Sequence, residues 1–272
     1  MSKTRNLKIH EEKISKQERR YAAILEHLHK TGSADVDDLG QKLNVSVHTI
    51  RRDLEALHDR GSLRRVHGGA EQLEPFFYEP FRADLSFQEQ IESHIEEKRR
   101  IARAAALLVN DGDVVAMTAG TTTTETVRCL PMNRRLTVVT NTVNIAMELS
   151  KRKDLEVFVT GGVLRGTWFS LVGPTAIQSM SKVNVDTLFI GANGIDITRG
   201  LTCHNTDEAE LNRVMVQQAR RKIVVADSSK FGTVASWVIA PVSDVDVIVT
   251  DTGVSEELIR PFRQQGITIL MV

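Results

Sequence analysis

Small polar motifs recur at five places in this chain, each at or directly after the end of a short apolar run. Gly120-Thr121-Thr122-Thr123 follows VVAM at 114–117, Asn141-Thr142 follows LTVVT at 136–140, and Thr160-Gly161-Gly162 closes LEVFVT at 155–160. Gly191-Ala192-Asn193-Gly194 ends the run TLFIGA at 187–192, and Asp227 ends KIVVAD at 222–227, with Lys230 three residues on. Amides and hydroxyls where a helix opens attract an anion without a full charge. Glycine lets the backbone approach a ligand closely. Asn193 and Asp227 can hold sugar hydroxyls, and Lys230 can neutralise a phosphate. One such motif is commonly just a turn; five at successive strand ends indicate a pocket for a phosphorylated, hydroxyl-rich molecule. Glu208 and Arg165 are further candidates, although Glu208 falls in the first turn of a helix starting near Asp207, where acids are favoured by the helix dipole alone.

The same residues invite comparison with catalysis. Aldose–ketose isomerisation needs a positioned base and stabilisation of an enediolate, roles open in principle to Asp227 and Lys230. No second carboxylate stands at a neighbouring strand end in 117–194, and neutral Gly, Thr and Asn groups are poor general bases near neutral pH. No catalytic residue is therefore assigned. Cys203, His204, Asp207 and Glu208 cluster in sequence, but their spacing matches no standard zinc pattern, so neither a metal nor a cofactor is expected. Trp168 and Phe169 fall in a loop, either over the pocket or at a subunit interface.

A second chemistry lies near the N-terminus. Tyr21, Ile24, Leu25 and Leu28 recur at helical spacing and Gly32 follows as a stop. A second short helix starts after Asp35, with Leu39 and Leu43 inward. Asn44-Val45 makes a tight turn, Ser46 is an N-cap, and a third helix runs VHTIRRDLEALHDR to Gly61. On a wheel of ~100° per residue, Val47, Ile50, Leu54 and Leu57 share the buried arc. Arg52 lies opposite it, flanked by His48, Thr49 and Glu55, and Arg51 sits nearer the edge. The exposed start of the helix is thus basic and hydrogen-bonding, the polarity a recognition helix needs in a major groove. In SLRRVHGGA, Leu63 and Val66 are expected to face a core, while Arg64, Arg65 and His67 project and Gly68-Gly69 turns a hairpin. That describes a basic wing set beside a phosphate backbone. An ordinary solvated arginine pair would explain Arg51-Arg52 alone, but not the whole arrangement.

The elements that must position these residues fall into three regions. Residues 15–72 read as a winged helix-turn-helix, 73–92 as a linker with Pro75, Pro80, Phe76, Phe77, Tyr78 and Phe81, and 93–272 as an α/β domain; 1–14 form a charged extension of no assigned role. From about Glu96 a helix carrying Ile101, Ala105 and Leu108 is expected to reach Asp111-Gly112. The five runs above, with VDVIVTD at 245–251 and ITILMV at 267–272, alternate with helix-length segments. They predict an open, mainly parallel sheet with both faces covered. The 272 residues carry no net charge, but 1–72 hold 14 Lys+Arg against 11 Asp+Glu and six of the eight His, a mild basic bias toward a polyanion. The N-terminus has no secretory apolar segment, no run approaches the ~20 apolar residues of a membrane helix, and two cysteines, Cys129 and Cys203, fit a reducing cytoplasm.

The stretch VSVHTIRRDLEALHDRGSLRRVHGGA at 45–70 resembles the helix-turn-helix and wing of the DeoR/GlpR family of bacterial transcriptional regulators. The resemblance continues through MTAGTTT at 117–123, VVTNT at 138–142, VTGGVLR at 159–165, LVGPTA at 171–176, IGANGI at 190–195 and ADSSKFG at 226–232. Family members more often carry Gly or Ser where this chain has Ala119. The family's sensor domain is similar to sugar-phosphate isomerases of the ribose-5-phosphate type. The resemblance implies a regulator, usually a repressor of sugar-catabolism genes, released from double-stranded operator DNA by a phosphorylated sugar. Paired half-sites further imply a homodimer or homotetramer. An isomerase with an accessory DNA-binding domain is the alternative, and a helix-turn-helix that binds protein is a third.

Overall fold

Helix periodicity near the N-terminus closes around one small core. The computed structural model describes residues 16–59, 62–72, 93–132 and 134–272; the charged extension, Gly61 and the linker with its aromatics lie outside the described residues. Helix α1 (Lys16–Thr31) stops at Gly32, whose backbone is left-handed at φ +77°. Strand β1 (Ser33–Asp35) leads into α2 (Val36–Leu43), capped by the Asp35 carboxylate on the Asp37 amide at 2.7 Å and ended by left-handed Asn44. Helix α3 (Val47–Asp59) buries Ile50, Leu54 and Leu57 against Tyr21, Ile24, Leu28, Leu39 and Leu63, with Val47 partly buried beside them.

Strands β2 (Leu63–Val66) and β3 (Gly69–Gln72) form the wing, and β1 pairs with β3 in a three-stranded antiparallel sheet. Gly69 is required here, since a Cβ would sit 2.1 Å from the Ala34 carbonyl oxygen. Two features differ from expectation. Strand β1 was not foreseen, because Ser-Ala-Asp carries no β-branched signal. Val66 is 37% exposed rather than buried: a strand alternates with period two, so Val66 cannot share a face with Leu63.

The rest of the chain forms a separate unit, the division falling between Pro75 and Phe76. Helix α4 (Ile95–Ala106) precedes β4 (Val114–Met117), α5 (Thr121–Arg128), β5 (Thr137–Thr140), α6 (Val143–Leu149) and β6 (Glu156–Val159). A hairpin, β7 (Val163–Arg165) and β8 (Ser170–Val172), leads to α7 (Pro174–Met180) and β9 (Val185–Ile190). Then come β10 (Gly194–Asp196), β11 (Gly200–Cys203), α8 (Thr206–Gln218), β12 (Ala219–Val225), β13 (Trp237–Ala240), β14 (Val247–Thr250), α9 (Glu256–Gln264) and β15 (Thr268–Met271).

All seven apolar runs enter one parallel sheet of order β15-β14-β12-β9-β4-β5-β6. Alternate strand residues face opposite layers. Val115, Met117, Val138 and Phe189 pack with α4, α5 and α6, while Ala116, Val139, Leu188 and Ile190 pack with α7, α8 and α9. The β10-β11-β13 sheet was not foreseen, because GID and GLTC are short and glycine-led. Helix α4 stops at Ala106, short of Asp111; the chain tightens there, Leu108 donating its amide to Ala105 at 3.0 Å, which leaves Leu107 exposed and brings Val109 into the core. No helix among the described residues is long and apolar enough to cross a membrane.

Candidate functional site

On the N-terminal unit, Ser46 sits just before α3. Its hydroxyl accepts from the Thr49 amide at 3.2 Å and lies 2.8 Å from the Thr49 hydroxyl, so the pair caps the helix start. His48, Arg51 and Arg52 are exposed and Thr49 half-buried. Among the described residues nothing pairs with either guanidinium. The neighbouring acid, Asp53, turns the other way. It is buried and bridged by Arg20 of α1 through Nε–Oδ2 and through Nη2–Oδ1 at 3.0 Å. The RRD segment therefore presents two cations outward and neutralises its anion inward. Asp53 lies at the edge of the buried arc, beside Leu57 and about 40° beyond it on the wheel, a position passed over in the sequence reading, as was Arg20.

The wing cations are less open than expected. Arg64 pairs with Glu71, its cross-strand neighbour, and Arg65 Nη1 lies 3.8 Å from Glu55 Oε1. His67 is exposed in the turn. Exposed pairs of this kind contribute little, about 0–1 kcal/mol, so a phosphate can displace the carboxylates.

In the second unit the chain switches direction between β4 and β9, adjacent strands whose connections run to opposite sides of the sheet. A crevice opens beyond the carboxyl ends at such a point. Buried Thr118 spans it: its amide donates to Phe189 at 3.2 Å and its hydroxyl accepts from the Gly191 amide at 3.1 Å. Gly120, at φ +153°, precedes α5, which has no side-chain cap. The first amides of α5 have no intrahelical acceptor and face the helix entrance. The Thr123 hydroxyl lies 2.8 Å from the Thr118 and Gly120 carbonyls, so it shapes the loop, while Thr121 is half-buried and Thr122 buried.

Asn141 and Thr142 serve the β7–β8 hairpin. Asn141 Nδ2 donates to the Leu171 carbonyl at 3.2 Å and its own carbonyl accepts from the Leu171 amide at 2.7 Å; Thr142 bridges to Ser170. Gly161 is left-handed, and a Cβ on Gly162 would meet the Val172 carbonyl oxygen at 2.6 Å, so these glycines close the hairpin. The hairpin carries Arg165, whose Nη1 is buried 3.6 Å from Glu208 Oε1 without a hydrogen bond. Ser170 donates to the same carboxylate oxygen at 2.8 Å. Arg165 and Glu208 thus come together with Ser170, a residue sequence reasoning missed. Phe169 and Trp168 pack on Val143 and Met147 of α6.

Asn193 accepts from the His204 amide at 3.2 Å, and its carbonyl accepts from the Thr233 hydroxyl at 3.3 Å, tying the β9 exit to the loop after β12. In that loop buried Asp227 accepts from the Ser229 amide at 3.1 Å and from the Ser229 hydroxyl. Lys230 is half-buried beside it. A further cation, Lys98 of α4, is buried at 4% exposure within the electrostatic reach of Asp227, Lys230, Glu125 and Glu97. Burial holds its ammonium below the usual lysine value, with Asp227 opposing that shift and Lys230 adding to it. Lys98 shares the buried helix face of Ile101, Ala102 and Ala105, a signal the helix wheel offers and the sequence reading passed over. Cys203 is buried and donates to the Asn205 carbonyl at 3.2 Å, whereas His204 is exposed.

A capped basic helix with a wing, joined in one chain to a three-layer α/β unit with a polar crevice, defines a ligand-responsive DNA-binding regulator. Residues 20–76 match the DeoR-like helix-turn-helix domain and residues 93–252 the DeoR C terminal sensor domain. The chain belongs to the DeoR family of transcriptional regulators. It is similar to the HTH-type transcriptional regulator GlpR of Haloferax volcanii, 36% identical over 91% of this chain and 94% of that protein. It is also similar to the transcriptional repressor AccR of Agrobacterium fabrum, 37% identical over 86% and 89% of the two chains. Among solved structures, a ribose 5-phosphate isomerase A from Methanocaldococcus jannaschii aligns over 50% of this chain and 54% of its own at 18% identity and TM-score 0.36, too slight a likeness to carry functional weight. The protein is a regulator and not an enzyme, the class of its full-length relatives.

Proposed function

We propose that this protein represses genes of sugar catabolism and leaves its operator when a phosphorylated sugar fills the crevice beyond β4 and β9. Residues 15–72 act as the DNA-binding domain and 93–272 as the effector domain. His48, Thr49, Arg51 and Arg52 read the major groove from a helix start ordered by Ser46. Arg64, Arg65 and His67 contact phosphates. Gly120, Thr121 and Thr122 supply amides and hydroxyls to the effector phosphate, with Lys230 as a counter-charge; Asn193 and Asp227 take sugar hydroxyls. Thr123, Asn141, Thr142, Gly161 and Gly162 hold the loops that form the crevice. The protein works in the cytoplasm as a homodimer or homotetramer, matching paired half-sites.

The observation that carries this reading is the polar crevice at the switch between β4 and β9, where Thr118 ties the two strand exits together and α5 opens without a side-chain cap. The test is a gel shift on the DNA upstream of the protein's own coding sequence, with sugar phosphates and the corresponding free sugars. Release by a phosphate and not by its parent sugar is expected; equal release by both would overturn the phosphate assignment.

A further inference from the structure

The parallel sheet ends on β6, whose register with β5 runs unbroken from the Thr137–Glu156 pair to the Thr140–Val159 pair. The Glu156 amide donates to the Leu136 carbonyl at 3.0 Å and the Thr160 amide to the Thr140 carbonyl at 3.1 Å. Backbone groups alternate sides along a strand, so Glu156, Phe158 and Thr160 turn theirs to β5, while Leu155, Val157 and Val159 turn theirs away. Among the described residues no strand pairs with that outer side. A sheet edge is ordinarily guarded by lysine, proline or a bulge. Here the three residues with outward backbone groups are all apolar, and no bulge interrupts the register. Phe158 and Val159 are 43% and 37% exposed, and Val163 and Leu164, a few residues on, are exposed as well. At the opposite edge, β15, Ile269, Leu270 and Met271 are all partly buried. The sheet thus has one covered edge and one that is apolar and open, the kind of edge that takes another strand.

We propose that β6 pairs antiparallel with β6 of a second copy of this chain, across a twofold axis at Val157, so that two parallel sheets join into one. The inference rests on the homo-oligomer reading above and names its surface. An antiparallel ladder needs residues with outward backbone groups opposite one another. Centred on Val157, it sets that residue against its own counterpart and Leu155 against the partner's Val159, so every free backbone position of the edge is matched. The side chains of these three residues share one face of the sheet. Leu155 and Val157 already pack there with the core under α4, α5 and α6, so the apolar row continues from one copy into the next. On the other face Glu156 comes opposite the partner's Phe158. Charge fixes the direction. Lys151-Arg152-Lys153 precedes β6 and Thr160-Gly161-Gly162 follows it. Antiparallel pairing sets each basic run against neutral glycines, whereas parallel pairing would bring the two basic runs side by side, and like charges directly opposite are destabilising.

The experiment combines disulfide trapping with sedimentation velocity on the full-length protein. Residue 156 and the partner's residue 158 would form a non-hydrogen-bonded pair with Cα atoms about 4.5 Å apart, within disulfide reach. The double variant Glu156→Cys/Phe158→Cys should therefore cross-link into a covalent dimer under mild oxidation. Glu156→Cys alone, which faces phenylalanine, and wild type, with only Cys129 and Cys203, should cross-link at least tenfold more slowly. Val159→Pro removes an outward amide that β5 does not use. It should weaken self-association at least tenfold while keeping native circular dichroism, and Val159→Thr, which keeps the amide, should stay within about threefold of wild type. If wild type self-associates and the double variant does not cross-link, or Glu156→Cys alone cross-links equally fast, the pairing is overturned and the homo-oligomer reading stands. A folded Val159→Pro with wild-type association overturns the backbone ladder in the same way. Should Val159→Pro not fold, the cross-linking decides. A wild type that stays monomeric at micromolar concentration and on its operator removes the homo-oligomer reading, and the pairing with it.

Discussion

Arg52 and Asp53 are adjacent in sequence and opposite in role. Arg52 points to solvent from the first half of α3, while Asp53 is buried against Arg20. Arg52→Ala should weaken specific DNA binding by about 1–3 kcal/mol and relax base preference at one position, as a bidentate arginine–guanine contact would. Arg64→Ala or Arg65→Ala should instead weaken binding uniformly across sequences and flatten its salt dependence. Competition binding against single-base operator variants at two salt concentrations separates the two patterns. Arg20→Met should leave no direct base contact missing, yet cost about 3 kcal/mol of stability in the DNA-binding unit by stranding the Asp53 carboxylate, read by denaturant unfolding.

At the scale of elements, backbone geometry sets the wing. Gly69 faces the Ala34 carbonyl across the β1–β3 pair, with no room for a Cβ. Gly69→Ala should destabilise the unit by about 1–3 kcal/mol, the usual cost of forcing atoms into a packed site, and should loosen DNA binding as the wing shifts; unchanged thermal unfolding would refute the close approach. The elements that sequence made legible are those with strong periodicity. The seven β-branched runs all became strands of the parallel sheet, and Ile50, Leu54 and Leu57 face the core. What stayed hidden lacked such a signal. Ser33–Asp35 and Gly194–Asp196 become strands only because partners lie beside them, and Val66 was misplaced by a spacing that a strand does not allow. In the crevice, motif position located the loops but not the division of labour within them. Asn141 and Thr142 look like ligand groups in sequence and are engaged with the hairpin in space, while Ser170 lies outside the motifs because tertiary contacts alone bring it in.

For the whole molecule, release from DNA is a linkage between two binding equilibria. An effector shifts the protein off its operator only by the ratio of its affinities for the two states. Lys230→Ala should therefore keep operator affinity near wild type in the absence of effector and lose most of the response, a pattern that a folding defect would not give. The same crevice raises the question of residual chemistry, because it presents acids beside cations. Proton abstraction next to a carbonyl requires a carboxylate free to reach that proton. Asp227 is engaged by the Ser229 amide and hydroxyl, and Glu208 is engaged by Ser170 and lies beside Arg165. Both acids are thus oriented by their own surroundings, while Asn193 at the β9 exit is neutral and donates or accepts hydrogen bonds without acting as a base. Sugar phosphates incubated with the purified protein in deuterated buffer should accordingly gain deuterium beside the carbonyl no faster than in buffer alone. Incorporation well above that rate, abolished by Asp227→Asn, would mean that the crevice turns over its ligand as well as sensing it.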